Sequence, residues 1–138
     1  MNNEYWKGSH TTHRLLYHFT FIPKYRKKVI QPNIANRIRE LFQECCETNG
    51  WEIHQLEILT EHVHLLIQLT QADSPAHVMH YLKGGSSNVL RKEFPEIRAF
   101  LWGDSFWADG YFVETIGQKN EAIIKKYLDN QQSKHAPK

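Results

Sequence analysis

No window of the 138 residues approaches the roughly 18 consecutive apolar positions that a membrane-spanning helix needs. The opening Met1-Asn2-Asn3-Glu4-Tyr5-Trp6-Lys7 lacks the charged-then-apolar build of a secretion signal, so a cytoplasmic protein is expected. Cysteine is scarce. Cys45 and Cys46 are the whole complement, and adjacent cysteines make neither a metal-finger spacing nor a disulfide framework, which leaves them as reduced helix residues. A large excess of one charge is also missing, since 17 Lys and Arg stand against 15 Asp and Glu for a net +2, and that sum alone does not announce a polyanionic partner. There is no repeat, low-complexity stretch or linker. One domain over 1–138 is expected, with residues 1–12 and 133–138 flexible, and a chain this short often completes its packing or its site by dimerising.

What is present suits a packed core: 41% hydrophobic and 12% aromatic residues. His13 to Ile22 mixes aromatic and β-branched residues and stops at Pro23, as a strand does. From Asn33 to Thr48, Ile34, Ile38, Leu41, Phe42 and Cys45 recur at helical spacing, and Asn49-Gly50 supplies a left-handed stop. Trp51–Leu59 and His62–Leu69 read as a hairpin, its second strand central in a sheet. Pro75 opens a second helix reaching Phe94; Gly84-Gly85 inside it predicts a kink, a break or a close approach by another group. Residues 95–119 are looser, with a short strand at Tyr111–Thr115, and Asn120 caps a last amphipathic helix ending near Gln132. The order β-α-β-β-α-β matches an α+β, ferredoxin-like antiparallel sheet with two helices on one face, plus an additional C-terminal helix.

Residues two apart on a strand share a face, so His62 and His64 stand side by side while Val63, Leu65 and Ile67 face the core. Two imidazoles at that spacing suit one metal ion, yet nine histidines in this length give about 0.6 such pairs by chance. His54, His77 and His80 read as ordinary surface or helix histidines. On the last helix Tyr127 and Gln131 lie one turn apart, on the side that carries Ile124 and Leu128. That face is either a core aromatic with an amide at its rim, or a nucleophile beside a third metal ligand. A phenol is only about 0.1% ionised at pH 7, so an attacking tyrosine needs a metal or a base. Lys24, Arg26, Lys27 and Lys28 within five positions, with Lys83 and Arg91, are candidates for phosphate contact against the plainer reading of solvated charge. Trp102, Trp107 and Tyr111 are aromatics for base stacking or for core and dimer packing.

Over residues 13–132 these features fall in a recognisable order. Pro23-Lys24-Tyr25-Arg26-Lys27-Lys28-Val29 precedes Glu61-His62-Val63-His64-Leu65-Leu66, followed by Leu82-Lys83-Gly84 with Ser86-Ser87, Leu101-Trp102 and Trp107, and Lys126-Tyr127-Leu128 with Gln131. In this order the chain resembles the single-tyrosine HUH transposases of small insertion sequences, which move as single-stranded DNA. The resemblance implies that Tyr127 forms a 5′-phosphotyrosine and that His62, His64 and Gln131 bind Mg²⁺ or Mn²⁺. It implies a DNA hairpin with flanking single strand as substrate, and a homodimer whose active sites are shared between subunits. Glu61 departs from the aspartate common in the family, and the first dozen residues have no counterpart. Two other functions stay open: a domesticated relative that binds hairpins without cutting, and a metal-dependent nuclease that uses water, with Glu61 as base.

Overall fold

In the computed structural model, residues 6–7, 10–11, 14–99 and 105–118 are described. β1 (Trp6–Lys7) pairs with β2 (His10–Thr11), so part of the N-terminal stretch expected to be flexible forms a short antiparallel ladder. β3 (Arg14–Phe21), α1 (Pro32–Asn49), β4 (Glu52–Ile58), β5 (Val63–Thr70), α2 (Pro75–Glu93) and β6 (Phe112–Gln118) follow. The four long strands form one antiparallel sheet in the order β4-β5-β3-β6. β3 and β4 are thus parallel to each other with β5 between them, and β5 and β6 are parallel with β3 between. This double split β-α-β is the ferredoxin-like arrangement read from the element order. The predicted last helix, with Tyr127 and Gln131 on it, lies outside the described residues, as does Trp102.

Strand alternation divides the sheet into two faces. Tyr17, Phe19 and Phe21 of β3 and Val63, Leu65, Ile67 and Leu69 of β5 join one core with α1 and α2. In α1 the buried residues Ile34, Ile38, Phe42 and Cys46 fall four apart, a stripe that leaves Leu41 and Cys45 at its margin. Cys46, rather than Cys45, is the core cysteine, and burial pushes its thiol up to about 12. The helix stops where Gly50 adopts a left-handed φ of 77°. In β4 the pairing skips at His54, between Ile53 opposite Ile67 and Gln55 opposite Leu66. That bulge lets Ile53, Leu56 and Ile58 pack against the same core despite spacings of three and two.

Helix α2 starts on Ser74, whose hydroxyl accepts from the His77 N–H at 3.1 Å, and runs unbroken through Gly84 and Gly85. A Cβ at either glycine meets nothing within 4 Å, so neither the kink nor a close approach is found among the described residues. Arg37 of α1 grips Glu93 of α2 with two hydrogen bonds of 2.8 and 3.0 Å, tying the two helices together.

Behind β3 the chain makes a tight basic turn. Tyr25 (φ 61°) and Arg26 (φ 51°) are both left-handed, which costs a non-glycine residue about 1–2 kcal/mol each. The turn is held by the Lys24 N–H on Phe106 O (2.9 Å), the Arg26 N–H on Pro23 O (2.8 Å) and a bridge from Pro23 to Trp107. Trp107 packs against Phe21, Phe42 and Phe106, and its indole N–H donates to Ser86 Oγ at 2.8 Å. Trp107 is therefore a core anchor, the packing alternative of the sequence reading.

Candidate active site

His64 lies on the sheet face turned away from α1 and α2, because Val63 and Leu65 on either side of it point into the helical core. His62 sits just before β5 rather than on it; its carbonyl accepts from the Leu59 N–H at 2.8 Å, closing the Thr60-Glu61 turn. The two imidazoles nevertheless meet as the two-residue spacing predicts. Their centroids are 4.9 Å apart and their planes cross at 88°. His62 Nδ1 and His64 Nε2 are both shielded from solvent, and Glu61 Oε1 stands 3.9 Å from His62 Nδ1.

The strand beside β5 supplies residues that the sequence reading did not single out. Thr20 faces His64 directly in the β3–β5 register, and its Oγ1 lies 3.2 Å from His64 Nδ1. His18 Nε2 lies 3.3 Å from the same nitrogen, with the two rings nearly parallel at 6°. On the far side His18 Nδ1 is 3.9 Å from Glu114 Oε1 of β6. With its proton on Nδ1, His64 donates to one of these two neighbours and keeps the Nε2 lone pair for a ligand. The signal in the sequence was faint but present: in β3 the polar His18 and Thr20 alternate with Tyr17, Phe19 and Phe21.

A contacting pair of imidazoles with shielded ring nitrogens suits a divalent cation that takes further ligands from elsewhere. Among the described residues no group of three His, Cys, Asp or Glu side chains converges on one point. Gln131, the predicted third ligand, is not of those types, and it and Tyr127, the predicted nucleophile, lie outside the described residues.

The candidate phosphate contacts fall at different places. Lys24 and Arg26 lie in the tight turn, with Lys27 and Lys28 directly after it; all but the half-buried Lys24 are exposed. Phe21 pairs with Val63, so this turn leaves the sheet at the same end as His62. Arg91 is half-buried in the last turn of α2. Lys83 is engaged inside the fold. Its Nζ donates to the carbonyls of Ala108 (2.7 Å) and Gly110 (2.6 Å), and burial pushes its ammonium below the usual lysine range while Asp109 opposes that shift. It borders a cleft of about 410 Å³ between α2 and residues 105–111, on the helical side and away from the histidine pair. Tyr111 packs edge-on against Phe19, with Lys83 Nζ 5.9 Å from its ring centre. His54 bonds Gln68, while His77 and His80 lie exposed on α2, as ordinary histidines do.

Comparison with known proteins agrees with this architecture. The family described as "Transposase IS200 like" matches residues 11–131. The ISDra2 transposase TnpA of Deinococcus radiodurans is 29% identical over 128 residues, covering 93% of this chain and 91% of that protein. The transposase for insertion sequence element IS200 of Salmonella typhimurium is 32% identical over 123 residues, covering 89% and 80%. Among solved structures, a crystal structure assigned as a transposase from Deinococcus radiodurans superposes with a TM-score of 0.73 at 30% identity, over 91% of this chain and 96% of that one. A REP-associated tyrosine transposase bound to a REP hairpin shares the fold, with a TM-score of 0.63 at 16% identity over 99% of this chain and 73% of that one. A four-stranded sheet carrying the histidine pair on the face away from its helices, in a chain matched to one family almost from end to end, identifies this protein as a member of the IS200-like transposases.

Proposed function

We propose that the chain cleaves and rejoins single-stranded DNA at the ends of an insertion sequence through a 5′-phosphotyrosine on Tyr127. The observation that carries this reading is the histidine pair: two imidazoles in contact, 4.9 Å between centroids, on the sheet face turned away from α1 and α2. His62, His64 and Gln131 would hold Mg²⁺ or Mn²⁺, which when bound polarises a phosphate oxygen and offsets the charge that gathers on it. The Tyr127 phenol oxygen attacks phosphorus and loses its proton. A bond from that oxygen to phosphorus forms, the bond from phosphorus to the 3′ oxygen breaks, and the departing strand takes up a proton as its 3′-hydroxyl. The reverse attack by a DNA 3′-hydroxyl reseals a strand without ATP, because the phosphodiester energy stays in the covalent link.

Hairpin recognition is part of the proposal. The REP-associated neighbour of the same fold is bound to a hairpin, and the basic turn at Lys24–Lys28 leaves the sheet at the histidine end. The chain would act as a homodimer in the cytoplasm, each site sharing residues of both subunits. The decisive experiment incubates the protein with a single-stranded hairpin substrate and Mg²⁺ and maps adducts by mass spectrometry. A nucleotide on Tyr127, lost in Tyr127→Phe with hairpin binding kept, is the expected result. Hairpin binding without any adduct would instead make the chain a binding module. The nearness of Glu61 to His62 favours one further reading, hydrolysis by water; cleavage surviving Tyr127→Phe but abolished by Glu61→Gln would establish it.

A further inference from the structure

Two large aromatic side chains stand in solvent at the histidine end of the sheet, and no role assigned so far uses them. Phe112, at the start of β6, is 68% exposed, and Tyr25, in the basic turn, is 64% exposed. Phe112 pairs with Thr20 across β3–β6, and Thr20 pairs with His64 across β3–β5, so the three form one row on the face away from the helices. With strands about 4.8 Å apart, Phe112 stands roughly 10 Å from His64. Tyr25 is held out by two consecutive left-handed residues, a conformation that neither a tyrosine nor an arginine adopts unless its surroundings enforce it. The bridge from Pro23 to Trp107 and the Lys24–Phe106 hydrogen bond enforce it here, and they join the Tyr25 turn to the segment that leads into Phe112. Around Tyr25 lie Lys24, Arg26, Lys27 and Lys28. Exposed rings set among cations are the elements with which proteins hold single strands: bases stack on the rings while the cations follow the phosphates.

We propose that Phe112 and Tyr25 are stacking platforms for unpaired bases of the strand that flanks a hairpin, Phe112 for a base close to the scissile phosphate and Tyr25 for one on the basic turn. This rests on the functional reading above and names the part of the substrate these residues meet. A folded stem keeps its bases stacked on one another and has none to offer the two rings. The preference is therefore for the flank.

The test measures the affinity of the full chain for two DNAs, a hairpin alone and the same hairpin with a single-stranded flank carrying 2-aminopurine. The double variant Tyr25→Ala/Phe112→Ala is expected to lose about tenfold per ring, near 100-fold in all, on the flanked DNA, together with the quenching of 2-aminopurine, while the bare hairpin binds within about twofold of wild type. Tyr25→Trp with Phe112→Trp, which keeps both π-faces, restores the flank affinity. Because both rings are exposed, the double variant melts at the wild-type temperature. Tyr25→Gly, which relieves the left-handed strain, keeps the fold while still losing affinity. Equal binding of flanked DNA by variant and wild type overturns the inference. So does an equal loss on the bare hairpin, or a shift of the variant to a smaller species in sedimentation, which would make the rings a contact between copies of the chain. Wild-type protein that bound no hairpin DNA would instead remove the functional reading itself, and this inference with it.

Discussion

His64 owes its orientation to neighbours far away in the chain. Thr20 Oγ1 and His18 Nε2 converge on its Nδ1 at 3.2 and 3.3 Å, contacts that fix the ring and, in the tautomer protonated at Nδ1, leave the lone pair on Nε2. Under the proposed function these are positioning residues, since each would act through His64. Thr20→Val keeps the β-branched shape that suits a central strand and removes only the oxygen, so the fold is expected to stand. Mn²⁺ affinity of the DNA-free protein, read by calorimetry or electron paramagnetic resonance, should fall about 10-fold, and His18→Phe should lie in the range of about 10- to 100-fold. Unchanged Mn²⁺ binding in both variants would separate the β3 residues from the proposed metal site. Lys83 teaches a different point. Its position in α2 marked it as a candidate for phosphate contact, yet two of its three donors are used on the carbonyls of Ala108 and Gly110.

The helices are joined at their exposed margin by Arg37 and Glu93, with Glu40 also on Arg37. The hydrogen bonds from Arg37 hold the Glu93 carboxyl below its usual range. A carboxylate with a depressed folded-state pKa contributes stability above its unfolded value near 4.5, and that contribution is lost as pH falls through the depressed value. Glu93→Gln should therefore melt below wild type at neutral pH, with the gap closing progressively below about pH 4.5. Because the pair is exposed, high salt should narrow the same gap. A gap that persisted at low pH would show that Glu93 acts by packing. The α1 stripe, the opening of α2 at Pro75 and the Gly50 stop were all readable beforehand, because each depends on residues a few positions apart. The bulge at His54 was not: an extra residue shows only once the partner strand is known.

For the molecule as a whole, the sheet separates the packed core from the proposed site of chemistry. The main hydrophobic cluster lies between the sheet and the two helices, whereas the histidine pair occupies the opposite face. Removing divalent cations with EDTA should therefore abolish strand cleavage and adduct formation, leave hairpin binding within about twofold, and barely move the melting temperature. Restoring Mg²⁺ or Mn²⁺ should restore cleavage. A large drop in melting temperature on chelation would mean that a cation is needed to hold the fold itself.

The types and order of the elements from β3 to β6, and the facing of His62 with His64, followed from local periodicity, since a strand repeats every two residues and a helix every 3.6 wherever it lies in space. The pairing of partners across the sheet had no such local basis. Thr20 and His64 are 44 positions apart, and they meet because hydrogen bonding orders the strands β4-β5-β3-β6. The same long-range packing turned Trp107 into an anchor for the basic turn, and left Phe112 and Tyr25 standing in solvent at the histidine end. A sequence can nominate an aromatic or a cation for work on a ligand. Burial and strand register, which are free energies of the assembled chain, determine which of them are spent on holding the fold and which remain available.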